Sequence, residues 1–174
     1  MVHALTTVRR ILESPITYIR QYDFQLSWGH TGYVVFLISV ASQANRSFSS
    51  IGIWASRIGL ECIGWLVGLA IISAMVDFWA QYLGYRSKLK PLYASLGLIV
   101  WPLILYLPSH LIHPAAWGWV SPVVHVYIGV QACQVIRHHY KLSTLKAVWL
   151  MALPGVSAFI ALSLAIVLVI RSFA

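Results

Sequence analysis

The chain has 174 residues, of which 60% are hydrophobic and only 9% are charged, and its mean hydropathy is +0.79. A soluble domain typically has about 45–50% apolar residues and about a quarter charged residues, so this composition excludes an ordinary soluble domain and indicates a membrane protein. The net charge of +8 would suggest a nucleic-acid partner for a soluble domain. Here the basic residues lie between long apolar runs, so no nucleic-acid partner is expected.

Residues 1–25 have the pattern of a short helix that lies at a membrane surface. Ser14 and Pro15 are good starting residues for a helix, because Ser caps the first turn and Pro suits the first helical position. Beyond them, apolar residues such as Ile19 alternate with charged residues such as Arg20. This alternation is typical of an amphipathic interfacial helix.

Five apolar stretches follow, and each has roughly the length of a bilayer-spanning helix, which takes about 20 mostly apolar residues. The predicted spans are 26–44, 58–83, 91–109, 119–136 and 145–170. We therefore expect an all-α, polytopic membrane protein in which residues 26–171 form one domain of five transmembrane helices. The polar segment 45–57 is predicted to be a loop.

Basic residues are distributed unequally between the two sides that this layout defines. If the N-terminus is cytoplasmic, nine Lys and Arg residues fall on the cytoplasmic side: Arg9, Arg10, Arg20, Arg86, Lys88, Lys90, Arg137, Lys141 and Lys146. Three fall on the outside: Arg46, Arg57 and Arg171. Lys and Arg are usually in excess on the cytoplasmic side of membrane proteins. We therefore predict a cytoplasmic N-terminus and a C-terminus on the outside.

Residues 135–147, VIRHHYKLSTLKA, concentrate positive groups in a chain that is otherwise poor in charge. The candidate functional residues of this stretch are Arg137, His138, His139, Lys141 and Lys146. We interpret the stretch first as a cytoplasmic loop, with a binding patch or a metal or catalytic site as the alternatives. No metal site is expected, because no Cys or carboxylate joins the adjacent histidines. The other His pair, at positions 110 and 113, falls on the opposite side of a bilayer about 30 Å thick.

Glu61 and Asp77 are the only acidic residues within the predicted spans. Ionisable groups in a membrane are energetically costly and by default suggest a function. The two acids are separated by about 24 Å along one helix, so they cannot form a catalytic pair within the chain. Arg57 lies four residues before Glu61 on the same helix face, and the three cations of segment 86–90 are near Asp77. Structural anchoring and a role in ion or proton passage are both open.

Two sets of small residues suggest how the spans contact other helices. Gly64 and Gly68 form a G-x-x-x-G spacing in the second span, and Ser157, Ala161 and Ala165 recur at every fourth position in the fifth. Small residues at this spacing allow helices in membranes to approach closely. The spacing does not distinguish packing within one chain from packing between chains.

The sequence lacks the common signatures of catalysis. It contains no glycine-rich phosphate loop, no G-x-S-x-G and no H-E-x-x-H motif. Cys62 and Cys133 both fall within predicted spans and are expected to be buried thiols that pack as small apolar groups. We therefore expect no enzymatic activity and no cofactor.

Three segments resemble the Yip family, which comprises membrane proteins named for their interaction with Ypt/Rab GTPases. The segments are LESPITYIR (12–20), ISAMVDFWAQYLGYRSKLKPLYASLGLIVWP (72–102) and VYIGVQACQVIRHHYKLSTLKAVWLMALP (126–154). In the last segment, the family pattern of an aromatic residue, a glycine, a basic turn, Lys-Ala and a proline corresponds to Tyr127, Gly129, the turn at 138–139, Lys146 and Pro154. The chain departs from the family at Gly84-Tyr85, where members often have Gly-Gly.

The resemblance implies five spans and a cytoplasmic N-terminus. It also implies a short bacterial member, because the long soluble N-terminal region of eukaryotic members is not seen. The expected function is a non-enzymatic scaffold or accessory protein that associates with itself or with a larger membrane complex and contacts membrane lipids. The expected location is the bacterial inner membrane, with an early secretory membrane of a eukaryote as the alternative. The alternative function is a small ion- or proton-coupled transporter or channel component that uses Glu61 and Asp77.

Overall fold

The computed structural model describes residues 17, 19, 28–43, 50–113 and 115–157, and within these ranges the chain is helical, without a strand. The helices are α1 (Trp28–Gln43), α2 (Ile51–Tyr82), α3 (Leu89–Ile99), α4 (Tyr106–Ile112), α5 (Ala116–Tyr140) and α6 (Thr144–Ser157), with a 3-10 segment (Trp101–Leu105) between α3 and α4. The predicted all-α class is therefore confirmed.

Three of the described helical segments are long and apolar enough to cross a membrane: Ile51–Tyr82, Leu89–Ser109 and Ala116–Tyr140. They correspond to the second, third and fourth predicted spans and indicate a membrane-embedded protein. The first predicted span contains α1, which has 16 residues. The fifth contains α6, and its remainder, including Ala161 and Ala165, lies outside the described residues. The count of five spans and their orientation stay predictions.

The predicted interfacial helix of residues 1–25 lies largely outside the described part of the chain. Only Thr17 and Ile19 are described there, both within helix, with Ile19 buried and Thr17 exposed. The buried Ile19 agrees with an apolar side of that segment, whereas its position at a membrane surface stays a prediction.

Two predicted loops are shorter in the structure than the sequence suggested. The polar segment 45–57 was expected to be a loop, but α2 begins at Ile51 because the Ser50 hydroxyl caps it and accepts a hydrogen bond from the Ile53 N–H. The basic stretch 135–147 was also expected to be a loop, yet α5 continues to Tyr140 and α6 begins at Thr144. Both helices thus extend into polar sequence beyond their apolar runs, so polarity alone does not mark where they end.

The basic stretch ends α5 through a defined reversal of the backbone. Lys141 adopts a left-handed conformation with φ of 52°, and the Leu142 N–H donates to the Arg137 carbonyl. This pattern satisfies carbonyls that a helix C-terminus otherwise leaves without donors. The turn between α5 and α6 is therefore only three residues long, and it places α6 next to α5.

Helix α3 lies at the centre of the described bundle. Every residue from Leu92 to Ile99 is buried, and the helix packs against α1, α2 and α5. A helix that is apolar on all sides is suited to such a position. In contrast, α2 buries one face and leaves the rest of its apolar surface exposed, as expected for a helix that contacts lipid.

The closest described approach of a glycine to a neighbouring helix is between α3 and α1, at Gly97. A Cβ atom added to Gly97 would lie 2.2 Å from Thr31 Cγ2 and 2.7 Å from Thr31 Cβ. The Thr31 hydroxyl also donates to the Ala94 carbonyl at 3.4 Å. Glycine at position 97 therefore sets the distance between the two helix backbones.

We predict that Gly97→Ala lowers the free energy of unfolding by about 1–3 kcal/mol, because the added methyl group overpacks the α1–α3 contact. The matched control is Gly118→Ala, since Gly118 is a helical glycine of α5 where an added Cβ meets nothing within 4 Å. That change is expected to be neutral or to stabilise the helix by about 0.5–1 kcal/mol. Equilibrium unfolding in detergent micelles measures both variants. Equal stability of the two would contradict the close α1–α3 contact.

Candidate functional site

Asp77 lies near the C-terminus of α2 and is 3% exposed. Its Oδ1 accepts hydrogen bonds from the Lys88 backbone N–H at 2.6 Å and from the Tyr140 hydroxyl at 2.5 Å. Its Oδ2 accepts from Gln81 Nε2 and from the Ser87 hydroxyl, both at 2.7 Å. Each carboxylate oxygen thus has two donors, and the four donors come from α2, the α2–α3 loop and α5.

The loop reaches Asp77 because α2 ends in a tight turn. Gly84 adopts φ of 88°, a conformation that side-chain-bearing residues rarely adopt. The Tyr85 N–H donates back to the Ala80 carbonyl at 3.0 Å, which completes a helix-ending motif. The chain then runs back along the end of α2, so that Ser87 and the Lys88 N–H face the carboxylate.

The expected cationic partner of Asp77 is absent from this set of contacts. Lys88 contributes its backbone N–H, and the side chains of Arg86, Lys88 and Lys90 are exposed. The carboxylate is instead held by neutral donors, which stabilise an ionised acceptor more strongly than a neutral one. Because its acceptor positions are filled from within the chain, the geometry supports an anchoring role for Asp77.

This contact also places two basic segments at one end of the bundle. Tyr140 is the last residue of α5, and its ring meets the Tyr85 ring edge-on at 6.3 Å. The α2–α3 loop and the α5–α6 turn are therefore neighbours. We call this region the basic end and define it by six exposed cations: Arg86, Lys88, Lys90, Arg137, Lys141 and Lys146. The charge count predicts both segments on one side of the membrane, and both this placement and the cytoplasmic identity of that side stay predictions.

The two adjacent histidines have different environments. His139 is buried, and its Nε2 lies 2.9 Å from the hydroxyl of Ser95, a fully buried residue of α3. His138 is partly exposed, and the two rings are 5.4 Å apart. Arg137, Lys141 and Lys146 are exposed, so the five candidate residues of this stretch do not converge on one site. The burial of His139 could have been predicted from the sequence, since His139 follows the apolar residues Val135 and Ile136 at helical spacing.

Glu61 contacts the C-terminal turn of α1. The Ser42 hydroxyl lies 2.6 Å from each of its carboxylate oxygens, and Gln43 Nε2 lies 2.5 Å from Oε2. The Arg57 side chain is exposed and makes no ion pair with Glu61, so the partner suggested by helix spacing is wrong. Sequence reasoning missed Ser42 and Gln43, although two polar residues at the end of an apolar helix are a signal for such a contact.

The G-x-x-x-G spacing is not used for packing within the described part of the chain. Cβ atoms added at Gly64 or Gly68 would have no neighbour within 4 Å. Ser157 donates to the Pro154 carbonyl at 3.0 Å within its own helix. The glycine face of α2 is therefore open to a helix from elsewhere.

A groove of about 600 Å³ runs between α5 and α6 towards the basic end. Its lining includes the apolar side chains of Val126, Val130, Val148 and Met151, and Arg137 lies at the end nearest the α5–α6 turn. Among the residues that the structure describes, no group of three or more His, Cys, Asp or Glu residues could hold a metal ion. The groove suits an amphiphile rather than a polar substrate.

We predict that Tyr140→Phe lowers the free energy of unfolding by about 1.5–3 kcal/mol, because it removes a hydrogen bond to an ionised group. In an Asp77→Ala background, the same change is expected to have little further effect, since its partner is already lost. Tyr127→Phe on the same helix is the control, because Tyr127 lies in the exposed part of α5. Additive effects of Asp77→Ala and Tyr140→Phe would contradict the contact.

The comparisons with known proteins give no relative: the chain matches no protein-family model, no curated protein and no solved structure. The resemblance to the Yip family therefore enters only as a proposal, and the geometry of the described residues carries the functional argument.

Proposed function

We propose that the protein is a non-enzymatic membrane scaffold or accessory protein of the Yip-like type, which assembles with itself or with a larger membrane complex through α2. The observation that carries this proposal is the open glycine face of α2. Among the described residues, no heavy atom of another segment lies within 4 Å of a Cβ placed at Gly64 or Gly68. In lipid, close backbone approach at such glycines is a main source of helix association.

The residues around the two glycines extend this face along the helix. Leu60, Ile71 and Phe78 are each more than half exposed. Leu60 lies one helical turn before Gly64, and Ile71 and Phe78 continue the same face after Gly68. The buried residues Leu69 and Val76 lie on another side of α2. One side of α2 thus packs against the core of the described bundle. The other side is a long exposed apolar surface, and the two glycines form a depression at its centre.

The environments of Asp77 and His139 oppose two alternatives, a transporter that uses Asp77 and an enzyme that uses His139. A transporter that uses Asp77 needs a free acceptor position, but the four hydrogen bonds described above occupy the carboxylate. An enzyme that uses His139 needs an accessible ring, but His139 is buried against Ser95. Both groups support the bundle, which agrees with a non-enzymatic role.

The basic end supplies a second set of contacts for such a protein. Basic side chains near a membrane attract anionic headgroups with about 1 kcal/mol each. The groove beside Arg137 offers apolar surface to an acyl chain at the same level. We propose that this end faces the cytoplasmic leaflet, in a bacterial inner membrane or an early secretory membrane, and contacts anionic lipids there.

We predict that Gly64→Ile and Gly68→Ile each disrupt assembly by at least about tenfold in dissociation constant, because a branched side chain holds the partner helix away from the glycine face. Gly118→Ile is the matched control: Gly118 is an exposed helical glycine of α5 with no neighbour within 4 Å of an added Cβ. Sedimentation equilibrium in density-matched detergent measures self-association, and gentle purification followed by protein identification detects other partners.

The possible results separate the forms of the proposal. A wild-type oligomer lost only in the Gly64 and Gly68 variants supports self-assembly. A monomer whose co-purifying membrane protein is lost in the same variants supports an accessory subunit. A monomer without any partner, or assembly unchanged by Gly64→Ile, would reject the proposal for α2.

A further inference from the structure

The contact between α1 and Glu61 contains more acceptor oxygens than protons. The Ser42 hydroxyl has one proton but three acceptors within hydrogen-bond distance. These are the Ser39 carbonyl at 2.9 Å and the two Glu61 carboxylate oxygens at 2.6 Å each. A hydroxyl has one proton to donate. Even if that proton is shared between the two carboxylate oxygens, the contact with the Ser39 carbonyl has no proton between its oxygens.

Two further oxygens of the same helix turn have no partner. Ser39 is fully buried and Gln43 is 4% exposed, yet Ser39 Oγ and Gln43 Oε1 make no hydrogen bond. Ser39, Ser42 and Gln43 share one side of α1, because residues three and four positions apart lie on the same helix face. Gln43 Oε1 belongs to the amide group whose Nε2 already contacts Glu61. Buried polar atoms without partners are rare and require an explanation.

The charge of Glu61 is also uncompensated by any contact that the structure describes. Its carboxylate contacts a hydroxyl and an amide, and the Arg57 side chain is exposed. Glu61 is on a membrane-spanning helix, where an ionised carboxylate without a cation is unfavourable. A positive charge at this place would offset both the carboxylate charge and the excess of oxygens.

The ligand chemistry indicates which cation fits. The available groups are a carboxylate, hydroxyls and an amide carbonyl, and hard cations prefer such oxygen ligands. The set contains no imidazole or thiolate. It has a single negative charge, so a monovalent ion makes the site neutral, whereas a divalent ion would leave a net charge among apolar helices. Rotation of the Gln43 amide, whose oxygen and nitrogen are nearly equivalent in shape, presents Oε1 to the ion.

We propose that Glu61, Gln43, Ser42 and Ser39 form a binding site for Na⁺ that joins the C-terminal end of α1 to α2. The bound ion takes the place of the missing protons and accepts the lone pairs of Ser39 Oγ and Gln43 Oε1. This site is independent of the assembly face at Gly64, and it does not depend on the proposed function. Its role is to stabilise the bundle rather than to move an ion across the membrane.

Thermal unfolding of the purified protein in detergent tests the site, with NaCl compared with choline chloride at the same pH and ionic strength. A ligand that binds only the folded state stabilises it by RT ln(1 + c/Kd) at a free ligand concentration c, so the unfolding temperature rises with the ligand concentration. We expect NaCl to raise the unfolding temperature of the wild type and to have no effect on Glu61→Gln. Glutamine keeps the shape and hydrogen bonding of a neutral carboxyl group, so this variant is expected to fold.

Ser39→Ala is the sharper variant, because the hydroxyl it removes makes no hydrogen bond in the chain. If the hydroxyl serves only the fold, its loss leaves the Na⁺ effect unchanged. If it is a ligand, Na⁺ affinity falls by about tenfold or more, as is typical even for residues that support a metal site, while stability in choline chloride is retained. The matched control is Ser73→Ala. This equally buried serine donates to the Leu69 carbonyl, so its loss lowers stability but keeps the Na⁺ effect.

Three results would overturn the site. The first is an equal unfolding temperature of the wild type in NaCl and choline chloride, which would leave an extra proton on Glu61 as the explanation of the oxygen excess. The second is a Na⁺ effect that persists in Glu61→Gln, and the third is one that Ser39→Ala does not weaken. None of these results bears on the assembly of the Gly64 and Gly68 variants, so the two proposals fail separately.

Discussion

The hydrogen bonding of Asp77 is the constraint on which the described bundle depends. A carboxylate on a membrane-spanning helix has no water to solvate it fully, so its acceptors must be satisfied from within the protein. Here α2, the α2–α3 loop and the last residue of α5 each supply donors. Three of the donors lie within 11 residues of Asp77, whereas Tyr140 is 63 residues away, and the apolar contacts between the helices have little directional preference. The carboxylate fixes which helix ends meet, and it brings the two basic segments together at one end.

The two acidic residues of α2 differ in how their carboxylate oxygens are satisfied. Asp77 has two donors for each oxygen, and its contacts leave no position for another ligand. Both Glu61 oxygens and the Ser39 carbonyl lie around the single proton of the Ser42 hydroxyl, and Ser39 Oγ and Gln43 Oε1 of the same α1 turn have no hydrogen-bond partner among the described residues. The first environment explains a fixed structural anchor. The second is that of an incomplete site, which a small cation completes. Their positions on one helix, about 24 Å apart, keep these two roles separate.

The glycines inside the bundle differ from those on its surface in what they contact. The centre is taken by α3, whose approach to α1 is set by the absence of a side chain at Gly97. Other glycines of the membrane segments, Gly64 and Gly68, are not used in this way and face outward. A chain that uses one glycine for its own packing and leaves a glycine pair open presents a surface suited to another helix. This contrast connects the fold to a role in assembly, and the buried His139 is consistent with a role that requires no catalytic group.

The sequence alone determined the class of the protein, because the class follows from the composition and from the lengths of apolar runs, which do not depend on tertiary contacts. Apolar content and run length predicted helices in a membrane, and the distribution of Lys and Arg predicted that segments 86–90 and 137–146 share a side. The ends of α2 and α5 lie in polar sequence beyond the apolar runs, so both helices are longer than expected. Only the tertiary structure decided the partners of Glu61 and Asp77. Helix spacing and charge pointed to Arg57 and the loop cations, but the nearest groups in space are hydroxyls, amides and a backbone N–H. Such contacts depend on the distance between helices, and that distance is set by residues such as Gly97, which pair with positions far away in the chain.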